Sequence, residues 1–247
     1  MAAPTSTIDK RDGHKLVVPI DSDPFVFAYL AKALGVSSAV TFHDVYSLTE
    51  PDLLALVPRP VHAVIINCPG ASYRAARGEE NATTPAYNET GDKPVLWIKQ
   101  NIHEACGTMA VIHSVLNGPA RKHIEPGSLL ARLYEAMVPL EREPRAKILE
   151  DSIELEEAHA AAADLGQSEA PELGDLGTDG HFLAFAKGDD GHLWELCGYA
   201  PGPVDRGALA EGEDALSERA VQLGVGAFLE KAQDSLKFSI IAVCLPE

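Results

Sequence analysis

The sequence predicts an α+β fold with a mainly antiparallel sheet flanked by helices. Helical periodicities segregate from hairpin-connected strands, which argues against a doubly wound parallel sheet. Two strand-like runs, His181–Ala186 and His192–Gly198, flank Gly188-Asp189-Asp190-Gly191, which is hairpin chemistry. Of the 247 residues 46% are hydrophobic and 23% charged, enough apolar material for a globular core.

Taken in order, residues 1–13 are polar and read as a loose arm. Lys15–Ile20 is strand-like. Asp21-Ser22-Asp23-Pro24 supplies cap residues, and Phe25, Phe27, Leu30, Ala31 and Leu34 follow at helical spacing to Gly35. A strand starts at Ala39–Phe42, a short helix spans Asp52–Leu56, and Val61–Ile66 reads as a buried strand. Residues 69–92 lack periodicity and read as a surface loop with at most one polar helix. Cys106 opens a helix whose apolar run, Met109–Leu116, stops at Asn117-Gly118-Pro119. Helices follow from Gly127 to Leu140 and from about Pro144 to Leu155, the second extending toward Ala163. Residues 158–180 are small, acidic and Gly-rich, the composition of a long crossing segment. The hairpin comes next. Gly202–Gly207 reads as a turn, Leu216–Lys231 as a helix, and Phe238–Leu245 as a closing strand.

The net charge of -17 argues against nucleic acid and anionic membrane surfaces as partners and favours a basic protein partner. No apolar run approaches the roughly 18 residues of a membrane span. The four cysteines, Cys68, Cys106, Cys197 and Cys244, form no C-x-x-C pair and suit neither zinc nor a disulfide framework. A reducing, cytoplasmic setting, with the nucleus also open, is expected, with no cofactor and no metal.

A thiol hydrolase needs a thiolate, a histidine to share its proton, a group that fixes the imidazole, and donors for the oxyanion. Cys106 is the thiol candidate, because free N–H groups and the helix dipole at a first turn lower a thiol pKa. A purely structural cysteine at a helix start has the same local signature. His181, at the start of a strand after the crossing segment, is the base candidate; a solvated strand-end histidine reads alike. His192 shares the hairpin but sits near the turn, and His103 and His113 lie too near Cys106 in sequence to serve it. Gln100 offers an amide for the oxyanion. Gln, then Cys, then a distant His is the chain order of papain-like thiol proteases.

Gln100-Asn101-Ile102-His103-Glu104-Ala105-Cys106-Gly107-Thr108 resembles the Q-x(5)-C-G-T segment of the ubiquitin C-terminal hydrolase family. His181-Phe182-Leu183-Ala184 and Gly191-His192-Leu193-Trp194-Glu195-Leu196 are similar to that family's hairpin. Gly166–Pro171 is similar to the end of its crossover loop. Further matches at 19–24, 44–46 and 57–61 run in the same order, over about 15–245.

The resemblance implies a single catalytic domain over 1–247, with a papain-like core, a knotted backbone path and a crossover loop at about 160–179. It implies hydrolysis of the bond after the C-terminal glycine of ubiquitin, with release of small or unfolded adducts by a monomeric enzyme. Cys106 takes the place of the nucleophile, His181 of the general base and acid, and Gln100 of the oxyanion donor. The sequence departs from the pattern where the family has an aspartate to hold the imidazole: here that third triad position is Cys197. A thiol is a poor acceptor and no permanent counter-ion. Glu195, Asp189, Asp190 and Asp205 are carboxylates in the region that can stand in. The alternative function is a ubiquitin-binding protein with weak or no turnover. An arginine-rich ubiquitin tail suits an acidic cleft, for which Asp21, Asp23, Asp164, Glu169, Glu172, Asp175 and Asp179 are candidates, against the alternative of a self-repelling solvated loop.

Overall fold

The computed structural model describes residues 7–169, 180–231 and 237–245. β1 (Thr7–Arg11) and β2 (His14–Val17) form a hairpin turned by Asp12 at φ 52 and Gly13 at φ 86. A two-residue turn of that hand needs positive φ at both central positions. The arm expected over residues 1–13 is therefore a strand from Thr7 onward.

α1 (Pro24–Leu34) begins at Asp23, whose carboxylate accepts from the Phe25 N–H, and ends at Gly35 with φ 90. Its buried stripe is Val26, Phe27, Leu30, Ala31 and Leu34, the helical set that the spacing predicts. β3 (Thr41–Asp44), α2 (Pro51–Leu54) and β4 (Val61–Pro69) follow. The stretch after residue 69, expected as a surface loop with at most one polar helix, holds that helix as α3 (Gly70–Thr83). Its sequence is polar because only Ser72, Tyr73 and Arg77 are buried. α4 (Cys106–Leu116) is buried at every residue. A 3-10 turn (Gly118–His123), α5 (Leu129–Met137), α6 (Arg142–Asp151) and α7 (Ile153–Ala163) come next. The single helix expected from Pro144 breaks at Ser152, whose hydroxyl caps α7 by accepting from the Leu155 N–H at 3.1 Å.

The crossing segment expected over about 160–179 is helix up to Ala163, and residues 170–179 lie outside the described residues. β5 (Gly180–Lys187) and β6 (His192–Leu196) are the predicted hairpin, and β7 (Val204–Ala208) replaces the expected turn. The late helix is two, α8 (Glu218–Leu223) and α9 (Gly226–Lys231), and β8 (Ser239–Cys244) closes the sheet.

The six-stranded sheet has the order β3-β8-β4-β5-β6-β7, antiparallel at every pairing. Period-two alternation divides its side chains between two cores. Ala63 and Ile65, Ala184 and Ala186, and Ile241 and Val243 face the core of α1 and α4. Val64 and Ile66, Leu183 and Phe185, and Ile240 and Ala242 face a second core with Tyr73, Ala220 and Phe228, from α3, α8 and α9. Among the described residues no helix is long and apolar enough to cross a membrane.

Candidate active site

The site is built where α4 begins and β5 starts. The stretch Val95–Lys99 runs beside α4, and side chains of α4 and of Asn117, its C-cap, hold its backbone. Asn117 Oδ1 accepts from the Leu96 N–H at 2.6 Å, and Asn117 Nδ2 donates to the Leu96 carbonyl at 3.1 Å. His113 Nε2 accepts from the Ile98 N–H at 3.1 Å. From the other side Arg145, fully buried, donates to the carbonyls of Trp97, Met137, Glu89 and Gly91. These bonds satisfy backbone groups that no sheet partner reaches. They fix Gln100 relative to the helix that carries Cys106. Between the two residues His103 bonds Lys15 and Val17 of β2, and the backbone passes through Glu104 at φ 64.

Gln100 is buried, and its N–H donates to the Gly198 carbonyl at 2.9 Å. Gly198 permits this approach, since a Cβ there would lie 2.7 Å from Gln100 Cβ. Gln100 Nε2 donates to the Ile102 carbonyl at 2.8 Å and to the Tyr199 hydroxyl at 2.9 Å.

Cys106 is the first residue of α4, and its sulfur accepts from the backbone N–H groups of Phe182, Gly107 and Cys106 itself. The Phe182 bond brings the thiol against the start of β5. These donors favour thiolate, but burial outweighs them and pushes the Cys106 thiol up to about 11. The lowered thiol pKa expected from a helix start is thus reversed: α4 is buried along its whole length, and desolvation acts against the charge more strongly than the helix terminus supports it.

His181 sits in β5 opposite Cys68 of β4 and is buried. Burial, with the nearby Arg74 guanidinium second, lowers its pKa to about 4. At neutral pH the thiol and the imidazole therefore rest uncharged. His181 Nε2 lies 3.2 Å from Cys197 Sγ. Cys197 is itself anchored by Trp97 Nε1, which donates to its carbonyl at 2.9 Å. Burial pushes the Cys197 thiol up to about 12, so it meets the imidazole as a neutral group.

None of the carboxylates proposed as stand-ins bonds His181. Glu195 takes Arg77 and Arg206, Asp189 takes Lys93 and Arg121, Asp190 takes Trp194, and Asp205 takes His192. Asp21, a candidate for substrate binding, instead accepts from the Gln167 N–H at 2.7 Å and from the Ser168 hydroxyl. Glu172, Asp175 and Asp179 lie outside the described residues.

Two aromatic rings that the sequence reading passed over enclose the imidazole. Tyr73 of α3 has its ring centroid 4.2 Å from that of His181, and Tyr199 stacks at 5.7 Å and 26°. Tyr199 follows Cys197 by two residues, a signal that was available. Tyr73 lies on the polar helix that the stretch 69–92 allows, where no periodicity marks it.

Comparison with known proteins gives the kind of protein this is. A family model described as ubiquitin carboxyl-terminal hydrolase, family 1, matches residues 17–230. The chain belongs to that family. It is 30% identical over 238 residues to ubiquitin carboxyl-terminal hydrolase YUH1 of Saccharomyces cerevisiae, covering 93% of this chain and 96% of the relative. It is 31% identical over 226 residues to ubiquitin carboxyl-terminal hydrolase isozyme L1 of Homo sapiens, covering 92% and 97%. The fold matches the Trichinella spiralis UCH37 catalytic domain, solved bound to ubiquitin vinyl methyl ester, with a TM-score of 0.68 at 21% identity over 93% of this chain and 95% of that one. The protein is a cysteine-type hydrolase with the papain-like fold of its family.

Proposed function

We propose that the chain, as one catalytic domain and one copy, hydrolyses the bond after the C-terminal glycine of ubiquitin in the cytoplasm. Cys106 is the nucleophile, His181 the base and acid, and Gln100 an oxyanion donor. The observation that carries the reading is the convergence of Gln100, Cys106 and His181 through Tyr199 and the Phe182 N–H.

The resting pair is neutral, so the charge separation belongs to the reaction. The Cys106 proton passes to His181 Nδ1, the ring nitrogen not turned to Cys197, as sulfur attacks the glycine carbonyl carbon. The Cys106 N–H and Gln100 Nε2 receive the oxyanion. Collapse of the adduct breaks the C–N bond, and the imidazolium returns its proton to the leaving amine. Water then hydrolyses the thioester with the same base. At Nε2 the imidazolium meets a thiol where a carboxylate would hold it, which slows the proton transfers. In a serine triad the loss of that carboxylate costs on the order of 10⁴ in rate. A cysteine is the stronger nucleophile and depends on its base less.

The test is turnover of ubiquitin bearing a fluorogenic C-terminal amide. Turnover that Cys106→Ala and His181→Ala each abolish supports the reading. Tight ubiquitin binding with no turnover would instead establish the ubiquitin-binding alternative, which the intact Gln100, Cys106 and His181 do not favour. The net charge of -17 further predicts that ubiquitin association slows as salt rises.

A further inference from the structure

The third residue of the C-G-T motif has no part in the reaction above. Thr108 lies on α4 two residues beyond Cys106 and is buried. Its hydroxyl lies 2.6 Å from Nδ1 of His159, a buried imidazole of α7 that the reaction does not use either. His159 Nε2 lies 2.7 Å from the carbonyl of Val18, the residue after β2. A carbonyl only accepts, so Nε2 carries the ring hydrogen. Burial lowers the pKa of His159, so the ring is neutral, Nδ1 keeps its lone pair, and the Thr108 hydroxyl donates to it. On the other side of Cys106, His103 bonds the same strand. Its N–H donates to the Lys15 carbonyl at 2.8 Å, and its carbonyl accepts from the Val17 N–H at 3.2 Å. The segment 103–108 is thus fastened to one strand at both ends, directly at His103 and through His159 at Thr108.

Resting on the reading of Cys106 as the nucleophile, we propose that Thr108 and His159 are a positioning pair that closes this brace and holds the first turn of α4, with the Cys106 thiol and N–H, against the start of β5. The turn needs such a hold. Glu104 sits at φ 64, a conformation that a residue with a side chain keeps only when its surroundings impose it. Ala105, the N-cap, makes no side-chain capping bond. Gly107 lies so close to the run beyond β2 that a Cβ there would be 2.7 Å from Ile20 Cγ1. The turn is therefore pressed on β2 and the residues after it along its whole length, and His159 supplies the polar fastening at its far end. A reacting group displaced by about 1 Å loses on the order of 100-fold in rate. Neither Thr108 nor His159 touches a reacting atom; they act through the backbone of Cys106.

Thr108→Val keeps the shape and removes the hydroxyl; Thr108→Ser keeps the hydroxyl. The experiment measures kcat and KM on the ubiquitin amide reporter, per folded chain, with Cys106→Ala alongside. In Thr108→Val kcat should fall about 10-fold with KM unchanged, the scale of one buried hydrogen bond. Thr108→Ser should stay within about 2-fold of the natural chain. His159→Leu cuts the same bond from the other side and should lose at least as much. Adding Thr108→Val to it should cost less than about 2-fold more, because the two groups act as one. A pair that serves stability alone would lower the unfolding midpoint and leave kcat per folded chain unchanged, and that result overturns the proposal. So does a serine variant as slow as the valine one, or losses that multiply in the double variant. Should His159→Leu fail to fold, the valine and serine variants decide by themselves. With Cys106→Ala inactive, these results leave the function standing; full turnover by Cys106→Ala would overturn the function itself.

Discussion

Glu195 and Cys197 stand two residues apart on the same side of the chain, and helix α3 serves both. Arg77 meets Glu195, and Tyr73, one turn earlier, packs its ring on the His181 imidazole, which meets Cys197. The first cluster is ionic and saturated. Glu195 accepts from Arg77 and Arg206, and Arg206 also forks onto Glu80. The second is neutral: the Asn81 amide bonds the Tyr73 phenol, the phenol ring packs on the His181 imidazole, and the imidazole meets the Cys197 thiol, with no formal charge among them. One helix thus supports two designs. The ionic one fixes α3 to the sheet, since a buried charge left alone is expensive. The neutral one leaves His181 poised, since nothing near Nε2 commits its charge in advance. The comparison separates stability from catalysis along a single strand.

The largest expected effect is set by pH, through His181 on the neutral side and two further buried imidazoles. His181, His62 and His113 each have folded pKa values lowered to about 4, by burial first. Below the unfolded value of about 6.5 the unfolded chain takes up protons that the native chain refuses. Stability is therefore full above pH 6.5 and is lost as pH falls toward 4, by up to about 3 kcal/mol for each imidazole. Urea midpoints from pH 8 to 4.5 measure it, and a flat profile would show that these rings titrate alike in the folded and unfolded chain. The kinetic counterpart is an acid limb of kcat/KM near pH 4, well below the ordinary histidine range.

On the ionic side, Arg77→Met should destabilise the fold by about 3 kcal/mol, because half the compensation of Glu195 is removed. Denaturant unfolding at pH 7.5 reads this, and residual folded enzyme should keep its kcat. A matching loss of kcat would show that the two clusters are coupled through α3. Next, Gln100→Ala should lower kcat about 100-fold with little change in KM, the cost of one oxyanion donor. Smallest is Tyr199→Phe. It releases one Gln100 amide hydrogen from the Tyr199 oxygen, and kcat should rise by about 2-fold at most. A fall beyond about 5-fold would mean that Tyr199 positions His181.

What the chain reveals before folding follows the same division. Cys106 at the head of α4 is legible, because an unbroken apolar run ending in Asn117-Gly118-Pro119 has one reading as a buried helix. The β5–β6 hairpin is legible from Gly188-Asp189-Asp190-Gly191. Gln100, His181 and the vacancy of a carboxylate at Cys197 follow from motif resemblance, since a lone Gln or His carries no periodic signal. The helix α3 is only faintly legible, as one polar helix without fixed bounds: it buries only Ser72, Tyr73 and Arg77, too few to set a helical period. Tyr73 is hidden within it. The protonation of Cys106 also escapes local reasoning, because a helix start argues for thiolate, and only the packed structure shows how much burial opposes it.

Gly198, between Cys197 and Tyr199, sets which mutational paths are open to such an enzyme. At position 197 the chain already carries a thiol and keeps its imidazole in place, so that position can drift and change rate by degrees. At 198 a single added methyl would sit 2.7 Å from Gln100 Cβ and displace Gln100, the proposed oxyanion donor. Adjacent residues therefore differ in evolvability: one is a dial, the other a gate.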